Sequence, residues 1–307
     1  MRVMPGPPQT MRTPQWARLV DPAHGMLVQI GAHDHANHGY ANPDVGPLCV
    51  SRGWRALLVE PMSEAFSRLK AQYKEKLLVD NGRLRLLNSA VCGSCDQHES
   101  VMWAIDLSNP TSMAMRCLAA LNDTYGWVGE LASLSRRHVI KHDYVFNWRV
   151  NECKICAERL GVPALRPNCM HKVLGDNVQR RVTKCACLEH ELQSEESVTL
   201  LLVDAEGFDA DILRRYPFGR VPTTRVMFEK FHLNASAVHA TAELLRSHGF
   251  MPVPSESYKD AYTETWHHTT HDTPLLVDAV AKRTHSTRGT RIRQSADSYR
   301  TIRRPSE

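Results

Sequence analysis

Three short apolar runs, residues 26–30, 55–59 and 198–203, end abruptly at Gly31, Glu60 and Asp204, and a fourth, 224–228, ends at Glu229. Short runs dominated by apolar residues and bounded in this way read as buried strands, because helices need greater length to be stable. Helical spacing fills the stretches between them. Met62, Ala65, Phe66 and Leu69 share one helix face over 62–73, with Pro61 near the start. A helix over 209–216 begins near Asp209, and one over 236–248 is capped by Ser236 and stopped by Gly249. A short helix is expected over 48–52, ended by Gly53, and further strands over 84–91, 99–105 and 250–253. Strands alternating with helices predict a mostly parallel sheet with helices on both faces. In such a sheet the ligand lies beyond the carboxyl ends of the strands, so Gly31, Glu60, Asp204 and Glu229 are expected to line one crevice.

A glycine turn after the first strand and a carboxylate after the second suit an adenosine, because the carboxylate can take both ribose hydroxyls. A dinucleotide needs further glycines to admit its pyrophosphate. Here the turn continues Gly31, Ala32, His33, Asp34, His35, Ala36, Asn37, and the glycine pattern breaks after one member. S-adenosylmethionine has no phosphate and tolerates the break.

The motifs from 29–34, 53–61, 88–91, 204–209 and 228–233 occur in one order along roughly 26–250. The first, with Gly31, His33 and Asp34, resembles the first motif of FkbM-type methyltransferases. The second, ending in Glu60 and Pro61, is similar to their second-strand motif, and Asn88, Ser89, Ala90 and Val91 to the third-strand segment. Asp204, Ala205, Glu206 and Gly207 resemble the family's D-x-E-G signature, and Phe228, Glu229 and His232 its fifth-strand motif. Residues 133–142 resemble a segment of one branch of the family. The resemblance implies a Rossmann-like class I methyltransferase fold and methyl transfer from S-adenosylmethionine, usually to oxygen. It implies a cofactor site of Gly31, Ala32, Asp34, Glu60, Pro61, Ser89 and Ala90: Gly31 by the methionine portion, Glu60 on the ribose, Ser89 and Ala90 by the adenine. It places Asp204, Glu206, Glu229 and His232 near the transferred methyl. The acceptor is then a small molecule or glycan bearing a hydroxyl. Two departures are His35, where the family often has glycine, and Cys187 with Leu188 and Glu189, where T-L-D is common.

Two other readings compete. His33, His35 and His38 nearly spell a metallo-hydrolase zinc motif, with Asn37 in the place of an aspartate. A methyltransferase-like binding module without activity is the other, although Glu60, Asp204 and Glu206 argue for a working site.

Composition sets the remaining bounds. The chain is 42% apolar, enough for a sizeable core, and no run approaches the roughly 18 apolar residues that span a bilayer. Residues 1–24 hold five prolines and no secretory pattern, and read as a flexible lead into a domain over 25–280. Residues 281–307 carry eight Lys/Arg against two acids, a charge of +6 in a chain of +5, so the remainder carries −1. That basic tail reads as disordered and solvated, not as a specific nucleic-acid site. Nine cysteines, mostly within a hard-to-read stretch of 92–196, predict free thiols or a metal in a reducing, cytoplasm-like compartment, not a disulfide framework. Cys153 and Cys156, with Cys169 and His171 downstream, are the candidate structural zinc ligands. Cys92 and Cys95 have redox-pair spacing but are read as free thiols, and His138 with His142 reads as a solvated helix face.

Overall fold

The computed structural model describes residues 21, 23–34, 45–74, 82–105, 116, 132–141, 157–158, 161, 177–253 and 263–271. Each apolar run is a strand: β1 (Met26–Ile30), β2 (Arg55–Val59), β8 (Val198–Val203) and β9 (Thr223–Glu229). With β3 (Leu84–Leu87), β10 (Phe250–Pro252) and β11 (Thr263–His268) they form a seven-stranded sheet, ordered β10-β11-β9-β8-β1-β2-β3. The pairs β1–β2, β2–β3, β1–β8 and β8–β9 are parallel, whereas β11 runs antiparallel to both of its neighbours. The fold is therefore mixed α/β, with a mostly parallel main sheet.

Two-sided burial explains why these strands are unbroken apolar runs. Val28 and Ile30 of β1, Leu57 and Val59 of β2 and Leu201 and Val203 of β8 enter one core cluster. That cluster also holds Ile212 and Leu213 of α5 (Asp209–Arg215) and Leu245 of α6 (Ala235–Ser247). Leu27, Ala56, Leu58 and Leu200 enter the opposite cluster. There they pack with Cys49 of α1 (Val45–Ser51) and Leu69 and Tyr73 of α2 (Ser63–Lys74). At roughly 1.5–3 kcal/mol for each large apolar side chain removed from water, these two layers supply most of the drive to fold. The helix α6 is capped by Asn234, whose Oδ1 accepts from the Ala237 N–H at 2.8 Å, so Ser236 lies inside the helix and is not the cap.

The expected strand over 84–91 divides. β3 ends at Leu87, and β4 (Ala90–Val91) joins a second sheet, ordered β4-β7-β5-β6. Its long members, β5 (Glu99–Ile105) and β7 (Val178–Ala186), pair antiparallel from Glu99↔Lys184 to Ile105↔Val178. Against β5 lies β6 (Ala132–Ser133), which leads to the short helix α3 (Arg136–Lys141); α4 (Leu188–Glu191) follows β7.

This sheet overturns the expectation of free thiols for four cysteines. β4 pairs with β7 through Ala90↔Cys185 and Val91↔Ala186, bringing Cys92 to Cys185 and Cys95 to Cys187 with Cα separations of 5.4 and 4.9 Å. Both pairs are disulfides. The sequence shows close local pairs, but the partners are 93 and 92 residues apart and meet only through strand pairing. Cys49 is the free, buried cysteine among the described residues. The candidate zinc ligands Cys153, Cys156, Cys169 and His171 lie outside the described residues, as do His35, Asn37, His38, the stretch 1–20 and the basic tail. Among the described residues no helix is long and apolar enough to cross a membrane.

Candidate functional site

Three of the four expected strand ends converge, whereas Glu229 at the end of β9 does not line the cavity they share. A cavity of about 730 Å³, open to solvent, lies where β1, β2 and β8 stop, and its wall includes Gly31, His33, Glu60, Pro61, Asp204 and Glu206. The second sheet closes the opposite side with Ser89, Ala90, Val91, Met102, Ala132 and Leu134.

Glu60 is the buried carboxylate of the wall, 4% exposed. Its Oε2 accepts from the His33 N–H at 2.8 Å and its Oε1 from the Met62 N–H at 2.7 Å. Burial pushes its pKa up to about 7; the two N–H donors pull the other way, and nearby Asp34 adds to the rise. Asn88 fixes the same turn by donating from Nδ2 to the carbonyls of Glu60 and Pro61, and Thr183 of β7 donates to the Pro61 carbonyl at 3.2 Å. Gly31 has φ +77°, and a Cβ there would lie 1.7 Å from the Asp204 carbonyl oxygen. The glycine thus serves the close approach of the chain leaving β8, a contact that no local reading of the turn contains.

The chain after β8 forms the other wall. Asp204 is exposed, not buried at the strand terminus. Glu206 holds φ +49° and Gly207 φ +92°. The left-handed conformation is costly for a side chain like that of Glu206, and such strain gathers at functional sites where neighbours impose it. The imposing groups here are Asp209, fully buried, whose carboxylate accepts from the Ala205 N–H at 3.3 Å and the Gly207 N–H at 3.2 Å, and Ser133, whose Oγ donates to the Glu206 carbonyl at 3.1 Å. Burial raises the pKa of Asp209 to about 7 against the pull of those amides.

Glu206 meets two histidines. Its Oε2 lies 3.4 Å from His138 Nε2 and 3.3 Å from His232 Nε2. The two rings stand nearly perpendicular, at 83°, with centroids 4.4 Å apart. Glu229 Oε2 lies 3.7 Å from the same His232 nitrogen. Gly207 has a second reason to be glycine: a Cβ would come 2.8 Å from the His138 ring.

Of the residues expected at a site, the structure brings together Gly31, Glu60, Pro61, Ser89, Ala90, Asp204 and Glu206 in the wall, with His232 and Glu229 joined to them through Glu206. It does not bring Ala32 or Asp34 there. Ala32 is buried in the apolar layer, and Asp34, 3% exposed, pairs with Arg68 Nε at 2.6 Å and His33 Nδ1 at 3.1 Å. His138 is the residue that sequence reasoning missed, because it reaches the site only when β6 and α3 dock beside the chain leaving β8; its place in the family-like segment 133–142 was the available signal. Neither a protein-family model nor a curated protein matches the chain.

Proposed function

We propose that the chain is an S-adenosylmethionine-dependent methyltransferase of the Rossmann-like class, acting on a hydroxyl of a small-molecule or glycan acceptor. The observation that carries the reading is the buried Glu60 carboxylate in the wall of the cavity at the strand ends, facing the same space as Ser89, Ala90, Asp204 and Glu206. The strand order supports it: the parallel strands run β3-β2-β1-β8-β9, and the order reverses between β1 and β8, the switch point where such sheets bind ligands.

The residues present fit the cofactor. Glu60 has both oxygens already oriented by backbone amides and retains lone pairs for ribose hydroxyls. Ala90, Val91 and Met102 offer an apolar slot of the kind an adenine ring needs. When bound, S-adenosylmethionine supplies a methyl group on a positively charged sulfur. The protein's part is to hold the acceptor oxygen in line and to take its proton. Asp204 is the exposed carboxylate in the wall and acts as the base, while the Glu206 cluster beside it holds the acceptor oxygen. Of the three histidines of the hydrolase-like loop only His33 lies among the described residues, and its Nδ1 faces Asp34.

Calorimetric titration of the full chain with S-adenosylmethionine tests this. Glu60→Ala is expected to weaken binding by about 2 kcal/mol, roughly 30-fold, the loss typical of a hydrogen bond to a charged group. Affinity of the unmodified chain is expected to rise as pH passes through about 7, since ionised Glu60 accepts from both hydroxyls. A dissociation constant untouched by the substitution would contradict the assignment of the cavity.

A further inference from the structure

We propose that His138, Glu206 and His232 form a binding site for one divalent metal ion of the zinc class, with an open position toward the cavity. The role of that ion in holding an acceptor hydroxyl rests on the methyl-transfer reading; the site itself does not.

The geometry fits a metal site. Both histidines aim Nε2 at the same carboxylate oxygen, at 3.4 and 3.3 Å, and one ligand atom from each of the three residues lies within 4.8 Å of the others. Charge-assisted N–H···O bonds are shorter, about 2.7–2.9 Å. Two ligands each about 2.0–2.1 Å from a tetrahedral ion stand about 3.4 Å apart along the edge. The observed separations match that edge. Two imidazoles and one carboxylate are a donor set that zinc takes readily, with the fourth position left to water or substrate.

The surroundings are built to hold the three together. They come from three separate places in the chain: α3, the loop after β8 and the loop after β9. Side-chain exposure is 10% for His138, 6% for His232 and 24% for Glu206, so the histidines are enclosed and the carboxylate faces the cavity. Glu206 keeps its left-handed backbone through the Ser133 hydroxyl and the Asp209 clamp, and Gly207 clears the space that the His138 ring fills. Glu229, 3.7 Å from the same His232 Nε2, puts a second carboxylate beside the ligating nitrogen and adds negative charge at the site. The other cluster of suitable residues among those described, Cys95, Cys187 and His190, spends both thiols in a disulfide. Bound in this place, a zinc-class ion would lower the pKa of a hydroxyl on its open side, as it does for water.

The test is cobalt(II) titration of the full chain, first freed of metal with a chelator and kept under non-reducing conditions. Visible d–d bands are expected at one equivalent, without the thiolate charge-transfer band that a cysteine site gives. His138→Gln and His232→Gln are each expected to abolish those bands, and Glu206→Gln to weaken cobalt binding at least 10-fold. Absence of nitrogen/oxygen-type bands in the unmodified chain overturns the proposal, and so do bands that persist unchanged in both histidine variants. Should a histidine variant fail to fold by circular dichroism, the unmodified chain and Glu206→Gln decide. S-adenosylmethionine titrated into the same sample separates the two claims. Cobalt binding without cofactor binding sinks the methyltransferase reading and keeps the ion; the reverse sinks the ion alone.

Discussion

Gly31 is constrained from two directions, by its φ of +77° and by the Asp204 carbonyl 1.7 Å from where a Cβ would sit. Gly31→Ala should destabilise the fold by about 3 kcal/mol or more, since neither β1 nor β8 can retreat without breaking a central ladder; a chemical-denaturation midpoint within error of the parent would contradict the packing described. Glu60 and Asp209 make a different prediction. Both carboxyls hold a native pKa of about 7, raised from ordinary values of 4.5 and 3.8. The native state therefore binds protons more tightly than the unfolded chain, and the stability this provides is complete below about pH 4 and is lost as pH rises through 7. The groups contribute falls of roughly 3 to 4 kcal/mol each across that window. The slope of stability against pH between 4 and 7 should flatten in Glu60→Gln; an unchanged slope would mean that burial does not govern this carboxyl. Asp204→Asn keeps shape and removes charge. It is expected to slow methyl transfer at least ~100-fold while leaving cofactor affinity nearly intact, measured by single-turnover rates beside calorimetry.

At the scale of elements, the second sheet matters because it supplies one side of the cavity wall. Ala90 and Val91 of β4 are held to β7 by backbone pairing and, immediately after, by the bonds Cys92–Cys185 and Cys95–Cys187. Substituting Cys92 and Cys185 together by serine should lower stability by about 2–4 kcal/mol and weaken cofactor binding, as the Ala90 wall loosens. A melting temperature that does not respond to this double substitution would show that strand pairing alone holds the wall. These elements also mark how far the sequence could be read. β1, β2 and β8 were legible because both faces are buried, so each is a mostly apolar run closed by a glycine or a carboxylate. β7 was not, because most of its side chains are exposed or half-buried and Arg180, Arg181 and Lys184 interrupt any apolar pattern. β11 was missed for the same reason, with Thr265 and Trp266 its buried members among histidines and threonines. The disulfides and the approach of His138 to Glu206 depend on how β4, β5, β6 and β7 pair, a long-range outcome that no local spacing encodes. The carboxylates at the strand ends were legible because topology alone brings them together; that Asp34 turns to Arg68 was not, since its partner lies on a neighbouring helix.

For the molecule as a whole, the main sheet positions the cavity, the second sheet covers one side, and the chain after β8 joins the two through Ser133, Glu206 and His138. The basic stretch 281–307 lies outside the described residues, and its composition predicts no part in the site. Deleting 284–307 should leave both the melting temperature and the cofactor affinity nearly as they were; a large drop in either would assign the tail a docking role. The central claim, that the cavity at the ends of β1, β2 and β8 receives S-adenosylmethionine, is tested most directly by a crystal structure of the chain with S-adenosylhomocysteine at saturating concentration. The account predicts the ribose hydroxyls on the Glu60 carboxylate, the adenine against Ala90 and Val91, and the sulfur on the side of Asp204 and Glu206. A ligand bound elsewhere, or a cavity left empty at that concentration, would contradict it.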